Sequence, residues 1–216
     1  MRLTCLNVVQ ETHDVRTFVF AADPSQVFKY RAGQFVTLEI PLVGETLRRS
    51  YTISSSPSRP LTLSITVKRI PDGVISNWLH DHMSPGLSLA ASGPAGKFSC
   101  HDEAASCYLF VSGGSGITPV MSMARWLADL KPSSDIVFLH FARTPDDLIF
   151  SDELALLQRN LPNCRVEYVV SNASAHPEWT GRAGRIAPNL LHLMYGHFIS
   201  FASVMQARQP QVYTKR

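Results

Sequence analysis

Cys107-Tyr108-Leu109-Phe110-Val111-Ser112-Gly113-Gly114-Ser115-Gly116-Ile117-Thr118-Pro119-Val120 is the stretch that decides how the chain is built. An apolar run of strand length enters a glycine turn, and Val120, Ala124, Leu127 and Leu130 then recur at helical spacing. Glycines without side chains let the backbone approach a pyrophosphate, Thr118 is placed to cap the helix, and Pro119 suits a first-turn position whose N–H lacks an intrahelical partner. The expected ligand is a dinucleotide. A Walker loop would need Gly-Lys-Ser/Thr where Gly116-Ile117-Thr118 stands, and a nucleophile elbow would need Gly at Ile117, so nucleotide hydrolysis and esterase chemistry lose support.

Downstream of this turn the same rhythm repeats. Ile136 to Phe141 and Val166 to Val170 are apolar runs separated by a helical stretch, a β-α-β-α-β order that packs parallel strands between covering helices. Upstream, from Met1 to about residue 102, the pattern changes to short strands. Val15 to Phe20, Gln34 to Ile40, and Leu61, Leu63, Ile65 and Val67 in period two are cut by turns at Asp23-Pro24, Ala32-Gly33, Ser56-Pro57, Pro71-Asp72-Gly73 and Ser84-Pro85-Gly86. One helix is expected from Val74 to His82. The chain therefore divides into an antiparallel barrel, expected to be six-stranded, over residues 1–102 and a parallel-sheet α/β domain over 103–216.

Two segments of the barrel half carry chemistry. Arg49-Ser50-Tyr51-Thr52 sets a cation, a phenol and hydroxyls on one extended segment, where Arg49 and Tyr51 share a face. A guanidinium suits phosphate, and an aromatic ring suits a flat conjugated ligand. Val67 and Lys68 lead through a glycine turn into Gly73, Val74, Ile75 and Ser76, giving a second helix N-terminus with a lysine and a hydroxyl near it, a cradle for a diphosphate.

Composition narrows the remaining choices. The 216 residues hold 20 basic and 17 acidic side chains, with no dense basic run, so a nucleic-acid surface is not expected. The N-terminus lacks the charged-then-apolar layout of a secretory signal, which makes the cytoplasm the expected compartment. Cys5, Cys100, Cys107 and Cys164 lie far apart, without metal-binding spacing, and each is expected to be a small buried apolar residue. No metal site follows from them. None of the eight histidines forms a pair at catalytic spacing. From Trp179 to Arg216 there are five basic residues and no acidic one. Residues 186–207 are uncharged, but Pro188, Asn189, His192, Gly196 and His197 argue against a membrane helix there.

The three motifs in this order resemble the ferredoxin-NADP reductase superfamily, with a likeness that covers about residues 1–190. The resemblance implies an FAD-binding barrel, in which Arg49, Ser50, Tyr51 and Thr52 meet the flavin and Val67, Lys68 and Gly73 to Ser76 meet its pyrophosphate. It also implies an NAD(P) loop at Gly114, Ser115, Gly116, Ile117 and Thr118. Tyr51, Thr52 and Thr118 would stand closest to the chemistry, hydride passing from nicotinamide to flavin N5 and electrons then leaving singly to an iron-sulfur or flavodoxin-like redox protein. Tyr30 to Gln34, Thr118 to Met123 and Ala142 to Asp147 are similar to the NADH oxidoreductases that reduce hybrid-cluster protein, which implies a redox-protein acceptor, hybrid-cluster protein or a ferredoxin-type domain. Arg143 is placed for the adenosine end of the nucleotide, and Asp146, Asp147 and Asn172 favour NADH over NADPH. Those relatives carry a further [2Fe-2S] domain and a Cys-Gly-Pro turn absent from this sequence. From about residue 192 the likeness stops, which implies truncation or a shifted reading frame. The alternative expectation is a flavin-binding fragment or electron-transfer subunit that does not oxidise NAD(P)H by itself.

Overall fold

The computed structural model describes residues 1–42, 44–102, 105–174 and 176–185. By their contacts these form two compact units, one comprising residues 1–105 with 118–133, the other residues 106–117 with 134 onward. In the first unit six strands, β1 (Arg2–Thr12), β2 (Val15–Asp23), β3 (Phe35–Leu42), β4 (Glu45–Thr52), β5 (Leu63–Lys68) and β6 (Ser88–Ala95), pair antiparallel in the order β4-β3-β6-β1-β2-β5. The two ends of this order meet where Ile53 bridges Ile65 and the Ser54 N–H donates to the Ser64 carbonyl at 2.8 Å. The sheet thus curls round and joins itself, removing part of its exposed edge. Phe18, Phe20, Leu38, Ile40, Ile53, Leu63 and Ile65 fill the interior with no exposed surface, each such burial being worth roughly 1.5–3 kcal/mol.

Helix α1 (Val74–His82) has the expected bounds. Its buried residues include Ile75 and Leu79, and its exposed ones Val74, the split an amphipathic helix requires. The period-two reading of β5 needs a correction. Leu61 lies outside the strand and is 74% exposed, whereas Ser64 and Thr66, on the face opposite the apolar residues, are also buried. The burial of Thr66 is tolerated because its hydroxyl joins a chain of others. Ser54 Oγ lies 2.9 Å from Thr66 Oγ1, which lies 2.8 Å from Thr17 Oγ1, and the Thr17 hydroxyl donates to Glu11 Oε1 at 2.6 Å.

In the second unit β7 (Cys107–Gly113), β8 (Asp135–Ala142), β9 (Cys164–Val170) and β10 (Arg182–Ala183) form a parallel sheet in the order β10-β9-β8-β7. Leu109, Val111, Val137, Leu139, Phe141 and Val169 pack on one another, as apolar runs in parallel strands should. Helix α2 (Ile117–Leu130) joins β7 to β8 and α3 (Ser151–Asn160) joins β8 to β9. From Thr118 onward α2 is grouped by its contacts with the barrel unit. Three of the four cysteines are buried and Cys107 is exposed, at the open start of its strand. Among the described residues no helix is long and apolar enough to cross a membrane. The basic tail beyond Arg185, including the region after about residue 192, lies outside the described residues.

Candidate functional site

The Arg49 to Thr52 segment ends β4, which pairs with β3 in the register Thr52 with Phe35 and Arg49 with Leu38. The Ile53 N–H donates to the Gln34 carbonyl at 2.9 Å. Strand alternation therefore turns the backbone groups of Tyr51 and Arg49 toward β3 and those of Ser50 and Thr52 toward the opposite edge. On that edge lies β5. Carrying the antiparallel register on from the Ile53–Ile65 bridge sets Tyr51 alongside Val67 and Ser50 alongside Lys68. No strand pairing is made there among the described residues, so the seam opens immediately beyond its single bridge.

The β4 motif and the end of β5 flank this seam, and the Gly73–Ser76 turn follows β5 along the chain. On the β4 side the Arg49 side chain is exposed and donates to the Arg48 carbonyl at 2.8 Å, and the Ser50 hydroxyl lies 2.8 Å from Thr37 Oγ1. Tyr51 packs against the barrel core. Burial pushes its phenol up to about 12, while the positive charge of Arg49 acts in the opposite direction. The phenol stays neutral.

On the β5 side the groups are already tied together. Lys68 Nζ lies 2.9 Å from Asp14 Oδ2, and the Val67 carbonyl accepts a hydrogen bond of 2.9 Å from His80 Nε2 of α1. The Ser76 hydroxyl accepts from the Ile70 N–H and donates to the Gly73 carbonyl, both at 3.2 Å. A Cβ on Gly73 would stand 2.6 Å from Ser76 Oγ, so the turn closes only around a residue without a side chain. The Asp14 and His80 contacts were not anticipated from sequence. Both partners are distant along the chain, and an interior histidine gives no local signal. Burial lowers the His80 pKa, with the Val67 carbonyl opposing the shift, which leaves the ring a neutral anchor of α1 on β5.

The turn of the second unit runs through a single 3-10 turn at Gly114–Gly116. Gly114 has φ +50°, and the position of its missing Cβ meets nothing within 4 Å. Helix α2 begins at Ile117, so Thr118 lies inside its first turn rather than capping it, and Pro119 is its third residue, still among the positions without an intrahelical N–H bond. Ile117 is fully buried and Thr118 nearly so. Just before the turn, Ser112 faces His140 across the β7–β8 register, Oγ to Nδ1 2.9 Å. His140 has no exposed surface, burial lowers its pKa to about 4, and its Nε2 has no hydrogen-bond partner among the described residues. Arg143, after β8, reaches Asp147 at 3.3 Å, within a capping box that Thr144 and Asp147 build around a 3-10 turn.

Two successive parts of the chain match known domain families. Residues 3–100 match the oxidoreductase FAD-binding domain and residues 110–213 the oxidoreductase NAD-binding domain. The ferredoxin–NADP reductase B of Sorangium cellulosum is 33% identical over 179 residues, covering 83% of this chain and 72% of that protein. The chain belongs to the ferredoxin-NADP reductase family.

Within that family it is 47% identical over 196 residues to the glycine betaine monooxygenase reductase subunit of Chromohalobacter salexigens, covering 90% of this chain and 53% of the relative. It is 41% identical over 152 residues to the NADH oxidoreductase HCR of Escherichia coli, covering 70% and 46%. The chain thus spans about half the length of these two relatives. As a family member it carries an oxidoreductase FAD-binding domain and an oxidoreductase NAD-binding domain. The open seam fits the first of these groups. It offers an unpaired strand edge, an exposed guanidinium, an aromatic ring and a glycine-tight helix start, all within one unit.

Proposed function

We propose that this chain is an FAD-dependent NAD(P)H oxidoreductase that passes electrons to a separate redox protein. The observation that carries the reading is the seam between β4 and β5. It presents Arg49, Tyr51 and the outward backbone groups of Ser50 and Thr52 along one lip and Val67 and Lys68 along the other, with the Gly73–Ser76 helix start following β5 along the chain. Arg49 then neutralises a phosphate, Tyr51 supports the isoalloxazine with its neutral phenol, and the Ser50 and Thr52 backbone groups bond its polar edge. Lys68, shared with Asp14, and the N–H groups of Val74, Ile75 and Ser76 hold the pyrophosphate, while Gly73, its own N–H on the Ile70 carbonyl at 2.9 Å, shapes the turn. Bound FAD supplies the conversion of a two-electron input into single electrons. The protein needs no acid or base at this point, so its work is to bind, orient and exclude water.

For the nucleotide, Gly114, Ser115, Gly116, Ile117 and Thr118 provide an open turn at the carboxyl end of a parallel strand, the usual place for such a ligand. Thr118 stands nearest the nicotinamide. Arg143 is held by Asp147, and Asp146 adds a second carboxylate nearby, which favours NADH because a 2′-phosphate would have to compete with both. The acceptor we assign is an iron-sulfur redox protein, a ferredoxin-type domain or hybrid-cluster protein. This is supported by the reductase-subunit relatives and the HCR likeness. The compartment we assign is the cytoplasm, in keeping with four free thiols.

The test is anaerobic. The purified protein is loaded with FAD and mixed with NADH or NADPH while flavin absorbance is followed. Rapid bleaching, faster with NADH, is expected. A protein that stays yellow with both nucleotides is instead the flavin-binding subunit, and one that refuses FAD removes the reading altogether.

A further inference from the structure

Helix α2 carries Ser122, Arg125 and Asp129 at a spacing that places them on one helical face. Within the barrel unit this stripe meets the Ser54–Arg59 segment, the direct continuation of the Arg49–Thr52 strand. The Ser122 hydroxyl donates to the Ser55 carbonyl at 2.6 Å, and Arg125 Nη1 donates to the Ser54 carbonyl. Asp129 accepts from the Ser58 hydroxyl and, in a bidentate pair, from Arg59 Nε at 3.0 Å and Nη2 at 2.7 Å. Partial burial alone would raise the Asp129 pKa, but the Arg59 and Ser58 donors reverse this and hold it below the usual carboxylate value.

We infer that Ser122, Arg125 and Asp129 are positioning residues, a clasp that fixes the segment leaving the flavin strand to the helix leaving the glycine turn. The segment has little else to order it. Its composition, Ser54-Ser55-Ser56-Pro57-Ser58-Arg59-Pro60, is that of a loop with high conformational freedom when unheld. Its other anchors lie on the barrel wall: Tyr30 Oη 2.8 Å from Ser55 Oγ, the Ser64 N–H donating to Ser55 Oγ at 2.9 Å, and Ser54 Oγ beside Thr66. The carbonyls of Ser54 and Ser55 are taken up by α2. Ser54 is buried and only two residues from Thr52, so a shift there moves the strand end that faces the seam. On the far side, α2 is covalently continuous with Gly114–Gly116. The clasp therefore orders, within the barrel unit, the chain that follows the proposed flavin strand, and its contribution is to geometry rather than affinity.

This inference rests on the function proposed above, and its test separates the two. Asp129→Asn, Asp129→Ala and Ser122→Ala are prepared with FAD bound, and three quantities are measured well below the melting temperature. These are amide hydrogen exchange over residues 54–59, FAD affinity by flavin fluorescence, and the limiting rate of flavin bleaching at saturating NADH. Exchange over 54–59 is expected to rise at least about 10-fold in Asp129→Ala and less in Asp129→Asn. The limiting rate is expected to fall about 10-fold with FAD affinity within about 2-fold of the parent, because a displacement well under 1 Å is enough to slow a near-attack geometry. Asp129→Glu should restore part of the rate. A fall in melting temperature with exchange over 54–59 and limiting rate per bound FAD unchanged overturns the clasp, leaving Asp129 a mere stabiliser. If the parent itself is not bleached by NADH the proposed function fails, yet the exchange measurement still decides whether α2 orders the segment.

Discussion

The turn before α1 and the turn before α2 both open a helix, and they treat their polar groups in opposite ways. Before α1 the side chains are committed to one another: Ser76 bonds both strands of the turn, Lys68 is paired with Asp14, and His80 is bonded to Val67. Before α2 the Gly114 position faces open space, and the nearest buried polar pair, Ser112 with His140, leaves one ring nitrogen unsatisfied. The first turn is built to hold its shape whether or not a ligand is present, as suits a cofactor that stays. The second leaves room for close approach, as suits a co-substrate that must arrive and leave.

His140 offers the largest break in this symmetry. Its folded pKa of about 4 lies below the ordinary value of 6.5. The unfolded chain therefore binds the extra proton first as pH falls, and the stabilising contribution is complete above about pH 6.5 and is lost progressively toward pH 4. The shift corresponds to about 3 kcal/mol for a group with no exposed surface. Denaturant midpoints across this window should fall for the α/β unit, and His140→Gln, which cannot titrate, should flatten the profile. An unchanged slope would show that the ring is not kept neutral by burial.

A smaller effect, about 2 kcal/mol, is expected for Gly73→Ala, since the new methyl would lie 2.6 Å from Ser76 Oγ and about 3 Å from Ile70 atoms. The turn must open, so flavin retained per chain after gel filtration should drop along with the melting temperature. Ser76→Ala in the same background separates the two causes. If removing the hydroxyl rescues flavin retention, the collision was the fault. Close behind, Thr66→Val removes the middle hydroxyl of the Ser54–Thr66–Thr17 chain and leaves buried partners on both sides. About 1–2 kcal/mol should be lost, measured as a change in urea midpoint without a change in slope.

What could be read from sequence and what could not divides along the range of the interactions. The strand runs, the α1 bounds and the glycine turns depend on neighbours within a few residues, and they stand where periodicity and turn chemistry put them. The common face of Arg49 and Tyr51 was legible for the same reason, since residues two apart in a strand share a face. What escaped was long-range. Asp14 lies 54 residues before Lys68 along the chain, Asp129 meets Arg59 across 70 residues, and burial of both faces of β5 requires knowing what packs beside it. The cap expected at Thr118 failed locally instead, because the 3-10 turn at Gly114–Gly116 leads directly into a helix that starts at Ile117, two residues too early for it. A glycine run offers more than one place to begin a helix.

Gly114→Ala completes the contrast with Gly73 and has the smallest expected effect on stability. Both changes add one methyl to a glycine turn, but at Gly114 the methyl meets nothing within 4 Å, and the cost comes only from φ +50°. A left-handed conformation costs a residue with a side chain about 1 kcal/mol, so the melting temperature should move by only a few degrees. Because the methyl projects into the space left for close approach, nucleotide affinity should fall further than stability does, whereas Gly73→Ala should impair flavin retention and stability together. The two variants are compared by thermal melting and by titration of the FAD-loaded protein with NAD+. If Gly114→Ala binds nucleotide as the parent does, the open space at this turn serves the backbone alone, and the distinction between a fixed cradle and an open one disappears.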